Sequence, residues 1–216
     1  MPRTADHAER RAQIIDGLLS LAAREGLHAV TLRAVAAEAG VSLRLVQYYF
    51  HTKAALMHAA LVELERQSHR RLAARLATLP DPVPARTHVE ALLAEALPTD
   101  ERSRAFHRTW TSYAVLAMTD PELAAQPFVD GPRRLERELT TVLARAAGQL
   151  APDADPAAEA ARLLNLAHGL GTGVLVGQRT VPEAQDVLGY HLDRLFDREP
   201  EFAGAATVWD RRGNAD

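Results

Sequence analysis

The chain has 216 residues, with 25 basic against 28 acidic side chains and a formal net charge of −3. Apolar residues make up 47% of it, enough for a substantial core, yet no apolar run approaches the roughly 18 residues needed to span a bilayer. The absence of cysteine excludes disulfides and thiolate chemistry and fits a cytoplasmic protein, and the N-terminal MPRTADHAERR lacks the apolar stretch of a signal peptide.

In chain order the periodicity is helical. Ile14, Ile15, Leu18, Leu19 and Ala22 form the apolar stripe of a first helix that ends at Gly26, with Arg24 in its last turn. Thr31 is placed to cap a short second helix that turns Leu32, Val35 and Ala36 inward. Gly40 supplies the left-handed residue of a tight turn, and Ser42 caps a third helix over about 43–49. Thr52 opens a long fourth helix with Leu56, Leu61, Leu64, Leu72, Leu76 and Leu79. Pro80, Pro82 and Pro84 then break the chain, and further helices are expected near 84–97, 100–118, 121–147 (interrupted between Pro127 and Pro132), 156–178 and 182–197. Pro98, Pro121, Pro156 and Pro182 sit where helices begin. The tail after Pro200 is polar and Gly/Ala-rich apart from Phe202, Val208 and Trp209.

Two short helices around a glycine turn make a helix-turn-helix, whose second helix enters the major groove of double-stranded DNA. In that frame Val46 and Leu43 or Leu45 face the support, while Arg44, Gln47 and Tyr48 project outward. An arginine fork suits guanine and a glutamine amide suits adenine. Thr31, Arg33, Ser42, Leu43, Tyr48, His51 and Lys53 complete the candidate DNA contacts, hydroxyls and cations being suited to phosphate oxygens. Lys53 is the only lysine, and residues 1–60 hold seven basic and five acidic side chains where the remainder is acidic overall. Tyr49 and Phe50 are expected in the core.

These residues carry a resemblance. RRAQIIDGLLSLAAREG, TLRAVAAEAGVS and YYFHTKAAL resemble the first helix, the second helix with its turn, and the closing aromatic run of TetR/AcrR-family transcriptional regulators. The resemblance covers residues 10–56. It implies backbone contacts from Thr31, Ser42, Tyr48 and Lys53, a homodimer on a pseudo-palindromic operator, and a small-molecule effector. Arg44 stands where the family commonly has a small residue and Gln47 where it commonly has the first tyrosine, so the operator sequence does not follow from the family.

In the C-terminal part, Gly169, Gly173 and Gly177 at i, i+4 and i+8 bare one helix face, a candidate dimer contact. Leu188, His191, Leu192 and Leu195 of the last helix offer a neighbouring surface, together with Val187 and Phe196. The resemblance agrees, since the family dimerises through a bundle of its last two long helices. Phe106, Trp110 and Tyr113 form an aromatic stripe, and Asn165, His168 and Thr172 a polar one. An aromatic stripe is commoner as core than as cavity lining, but polar His107, Thr109 and Ser112 lie close by, and buried polar groups need partners that a ligand can supply. These six, with Met118 and Phe128, are the candidate effector contacts. His107, His168 and His191 are too dispersed for a metal site, and no phosphate loop, nucleophile motif or dinucleotide fingerprint occurs.

The expected architecture is all-α: a helix-turn-helix domain at 1–53, a helical effector-binding and dimerisation domain at 54–200 reached through the long fourth helix, and a tail at 201–216. The expected function is a ligand-responsive, sequence-specific transcriptional regulator, most simply a repressor, neither enzyme nor membrane protein and without cofactor or metal. An activator, an effector-independent regulator and a helical enzyme with a DNA-binding appendage are the alternatives.

Overall fold

The computed structural model describes residues 2–196, with side chains from Asp6 onward; the tail expected at 201–216 lies outside the described residues. Among them there are ten α-helices and no strand: α1 Pro2–Glu25, α2 Leu32–Glu38, α3 Leu43–Phe50, α4 Lys53–Leu76, α5 Ala85–Glu95, α6 Glu101–Ala117, α7 Pro121–Ala124, α8 Asp130–Arg145, α9 Pro156–Leu175 and α10 Val181–Leu195. The all-helical class read from the periodicity is the one observed. Two compact units form: one joins the residues up to Gln67 to Arg108–Asp130, the other joins Ser68–His107 to the residues from Gly131 on.

In the first unit the predicted stripe of α1 is the core. Ile14 and Leu18 are fully buried with Val30, Val35, Val46 and Leu56, and Phe50 closes the cluster. Burying one such side chain is worth about 1.5–3 kcal/mol. Local signals set the helix ends. The Ala34 N–H donates to the Thr31 hydroxyl at 3.1 Å and the Leu45 N–H to the Ser42 hydroxyl at 3.2 Å. Gly26 and Gly40 adopt φ of +86° and +64°, a region costly for side chains with a Cβ. Gly17 is needed for another reason, because a Cβ there would meet the Ala39 Cβ at 2.8 Å and its backbone N at 3.0 Å. Thus α1 runs flush against the end of α2.

The second unit packs Val89, Leu92 and Leu93 of α5 against Leu139 and Leu143 of α8, Leu163 and Ala167 of α9, and Leu188 and Leu192 of α10. Helix α9 ends at Leu175 rather than at 178, since Gly177 turns left-handed at φ +77°. Pro121 and Pro156 occupy first helical positions and Pro182 the second of α10, whose cap is Thr180 in a reciprocal pair with Glu183. Pro132 lies inside the first turn of α8, so the expected interruption is confined to 125–129.

Candidate functional site

Helices α2 and α3 are joined by a turn in which the Val41 N–H returns to the Ala36 carbonyl at 2.9 Å. Arg44, Gln47, Tyr48 and His51, at i, i+3, i+4 and i+7, are all exposed, while Val46 is fully buried and Leu43 and Leu45 are half-buried. Thr31, Arg33 and Ser42 are exposed at the N-termini of α2 and α3, and Lys53, half-buried, begins α4. All nine candidate DNA contacts thus lie in the first unit, seven of them exposed and Leu43 and Lys53 half-buried.

Two features of this stretch were not readable from residue types. His51 sits at φ +53°, where the Thr52 N–H folds back to the Phe50 carbonyl and sharply redirects the chain into α4. The nearest acid on α2, Glu38, is engaged elsewhere: its carboxylate accepts from both terminal nitrogens of Arg24, at 3.0 and 2.8 Å, and from the Ser20 hydroxyl at 2.8 Å. The Arg24 hydrogen bonds hold that carboxyl down to about 2. Arg33, Arg44 and Lys53 have no carboxylate within ion-pair distance among the described residues, and the two arginines are exposed. Exposed donors at two capped helix starts, with these three cations, can bind a polyanion along its backbone.

The candidate effector residues divide between the units. In the first, Tyr113 is fully buried, its hydroxyl donates to the Leu123 carbonyl at 3.1 Å, and its ring lies 5.1 Å from that of Phe128. Burial pushes this phenol up to about 12. Trp110 packs half-buried against the same core, and Met118 is 80% exposed.

In the second unit Phe106 lies edge-on to His107 at 5.2 Å. His107 is buried, with Nε2 3.2 Å from the Glu95 carbonyl, and burial drives its imidazole down to about 4, with backbone carbonyls opposing and His168 adding to the fall. Burial lowers His168 as well. Asn165 and Thr172 are exposed and satisfy their donors within α9, Asn165 on the Ala161 carbonyl at 2.8 Å and Thr172 on the His168 carbonyl at 3.1 Å. A polar cluster that sequence reasoning missed surrounds Glu95, which is 8% exposed: its carboxylate accepts from the Ser68 hydroxyl at 2.7 Å and lies 3.3 Å from both Arg71 and Arg75.

Among the candidate dimer residues, Leu188, Leu192 and Leu195 are at most 3% exposed, within the core of their own unit. Gly169 is exposed, with open space where a Cβ would stand; Gly173 is buried, and Gly177 lies in the turn after α9. His191 lines a concavity of about 320 Å³ with Arg162 and Arg194, and its Nδ1 accepts from Arg162 at 2.9 Å. Burial, then the charge of Arg162, keeps this imidazole below its ordinary range. Among the described residues no group of acids and histidines could hold a metal ion, and no helix is long and apolar enough to cross a membrane.

Comparison with known proteins places these features in a lineage. Residues 14–60 match the model of the bacterial regulatory proteins of the tetR family, and residues 84–197 that of the BetI-type transcriptional repressor C-terminal domain. The HTH-type transcriptional regulator BetI of Burkholderia lata is 32% identical over 151 residues, 68% of this chain and 74% of that protein. BetI of Serratia proteamaculans is 29% identical over 154 residues, 70% and 77% of the two chains. A crystal structure of a proposed transcriptional regulator from Saccharomonospora viridis in complex with choline superposes with a TM-score of 0.73 at 26% identity, covering 86% of this chain and 96% of that one. Helix-turn-helix, all-helical body and matched segments together make this chain a member of the TetR family of transcriptional regulators, with a C-terminal domain of the BetI type.

Proposed function

We propose that the protein is a homodimeric cytoplasmic repressor that leaves a pseudo-palindromic operator when a small molecule binds it. The observation that carries this reading is the exposed row Arg44, Gln47, Tyr48 and His51 on α3, flanked by Thr31, Arg33, Ser42, Leu43 and Lys53. Arg44 and Gln47 read base edges; Leu43 has only its backbone N–H to offer, and the remaining polar side chains bind phosphate and fix the register. Each head alone covers one half-site, so two copies must meet with their α3 helices about 34 Å apart. The exposed face of α9, with Asn165, Gly169 and Thr172 and with Val176 just after its end, and that of α10, with Tyr190 and His191 at its edge, are the surfaces assigned to that contact.

For the effector, a small quaternary ammonium is the class to test first, because the similar Saccharomonospora viridis regulator was crystallised with choline. Phe106 and His168, both in the second unit, are the assigned contacts. Aromatic faces attract such cations, and imidazoles kept uncharged by burial, as at His107 and His168, do not repel them. An effector that favours one of two conformations weakens operator binding only by its differential affinity, typically about 1–3 kcal/mol.

The test is fluorescence anisotropy with DNA from upstream of the protein's own gene, against unrelated DNA of equal length at the same salt, each with and without choline. A preference of roughly a hundredfold that choline reduces supports the proposal, given the usual span between specific and non-specific affinity. Equal weak binding to both fragments removes the operator reading, and an unchanged preference removes the effector class.

A further inference from the structure

Contacts from α1 to the end of α3 continue before residue 14, where the family match begins, although the side chains that make them are exposed. Stepping back from Ile14, Ile15 and Leu18 at helical spacing leads to Arg11 and then His7, and both reach the end of α3. The His7 ring lies 5.3 Å from Tyr49 and 6.0 Å from Tyr48; Tyr48 and Tyr49 meet edge-on at 5.3 Å, and Tyr49 and Phe50 are 6.4 Å apart. The Arg11 guanidinium stands 5.1 Å over the Phe50 ring. A run of rings therefore leads from the buried Phe50, through half-buried Tyr49, to Tyr48, which is 62% exposed.

We infer that His7 is a positioning residue for DNA binding: its ring braces Tyr48 so that the phenol is already aimed at a backbone phosphate before DNA arrives. The inference rests on the assignment of Tyr48 as a phosphate contact made above. A phenol on an exposed helix face samples several orientations, and binding must select one. Fixing a side chain in advance removes that ordering cost, which amounts to roughly three- to tenfold in affinity. The exposed His7 ring, tilted 6.0 Å away, and the edge of Tyr49 at 5.3 Å give the Tyr48 ring two neighbours, and such aromatic contacts favour one orientation over others. Arg11 on Phe50 fixes the other end of the run, so the brace stands on a rigid base. Two exposed α1 residues at i and i+4 are thus placed against three consecutive aromatics, which is what a brace needs.

The experiment uses the full chain and the upstream DNA described above, with wild type, His7→Ala, His7→Phe, Tyr48→Phe and the His7→Ala/Tyr48→Phe double variant. Anisotropy at one salt concentration gives each affinity, and circular dichroism confirms that each variant is folded at the temperature used. His7→Ala is expected to bind roughly three- to tenfold more weakly per head, and His7→Phe, which keeps a ring, to recover most of that. In the Tyr48→Phe background, where no hydroxyl remains to be aimed, His7→Ala is expected to add nothing further. That dependence on the hydroxyl separates a brace from a general weakening of the head. The inference is overturned by unchanged binding of His7→Ala, by His7→Phe binding as weakly as His7→Ala, or by an equal loss with and without the Tyr48 hydroxyl. Wild-type protein with no preference for the upstream DNA overturns the operator reading and the brace with it, whereas a wild-type preference that survives His7→Ala intact removes only the brace.

Discussion

Acidification tests the interior of the second unit through His107. Its imidazole is buried, its Nε2–H donates to the Glu95 carbonyl, and burial has brought its pKa from the ordinary 6.5 to about 4. Folded protein therefore leaves this ring neutral where the unfolded chain protonates it. The stabilisation is complete above pH 6.5 and drains away as pH falls toward 4, because over that window only the unfolded state gains the proton. At about 1.4 kcal/mol per tenfold in proton affinity, the distance from 6.5 to about 4 is worth roughly 3 kcal/mol. His168, lowered by the same cause, adds to the loss in the same direction. The assay is urea unfolding at steps between pH 7 and 4, on wild type and on His107→Gln, which keeps a donor but cannot titrate. Wild type is expected to lose stability steeply below pH 6.5; His107→Gln starts lower at pH 7 and follows a shallower slope. Parallel slopes for the two proteins, or a His107 NMR resonance that titrates near pH 6.5, would refute the reasoning.

Four further outcomes follow from the geometry. Glu95→Ala leaves Arg71 and Arg75 without their shared counter-charge; breaking a buried pair costs about 3–5 kcal/mol, and the partial exposure of both guanidiniums reduces this to about 2–3 kcal/mol in urea unfolding at pH 7. Gly17→Ala gains about 1 kcal/mol of helix propensity but forces the chain at Ala39 aside, so a net loss near 1 kcal/mol is expected by thermal unfolding, and a more stable variant would contradict the close approach. His51→Gly relieves a left-handed residue and should raise stability by about 1 kcal/mol, whatever it does to DNA affinity. Arg44→Ala and Gln47→Ala should each flatten discrimination at one operator base pair by about 1–3 kcal/mol in competition titrations, while leaving the salt dependence nearly intact for Gln47→Ala.

What could be read from the sequence was mostly local. Thr31, Ser42 and Gly40 announce themselves because a cap or a left-handed turn is decided within three or four residues, and the structure has them in those roles. The stripe of α1 from Ile14 to Leu18 was equally plain, because every member is apolar and fully or nearly buried. The extension of α1 back to Pro2 was not, since MPRTADHAER has no apolar period and its partner, the aromatic run after Gln47, lies forty residues away. The polar stripe on α9 carried an ambiguous signal. Asn165 and Thr172 invite a search for buried partners, but both bond carbonyls of their own helix, four residues back, which residue type alone does not reveal. Glu95 escaped notice for the opposite reason: an acid in a sequence reads as surface, and only the convergence of Ser68, Arg71 and Arg75 makes its burial tolerable.

Lys53, the first residue of α4, has a consequence outside recognition itself. Every other basic side chain is a guanidinium or an imidazole, so this chain offers amine-directed chemistry a single side-chain target, and that target is one of the candidate DNA contacts. Acylation would remove one positive charge per head at that position and leave the arginines untouched. A fluorophore attached by the same chemistry would report from the junction of α3 and α4 without any engineered cysteine.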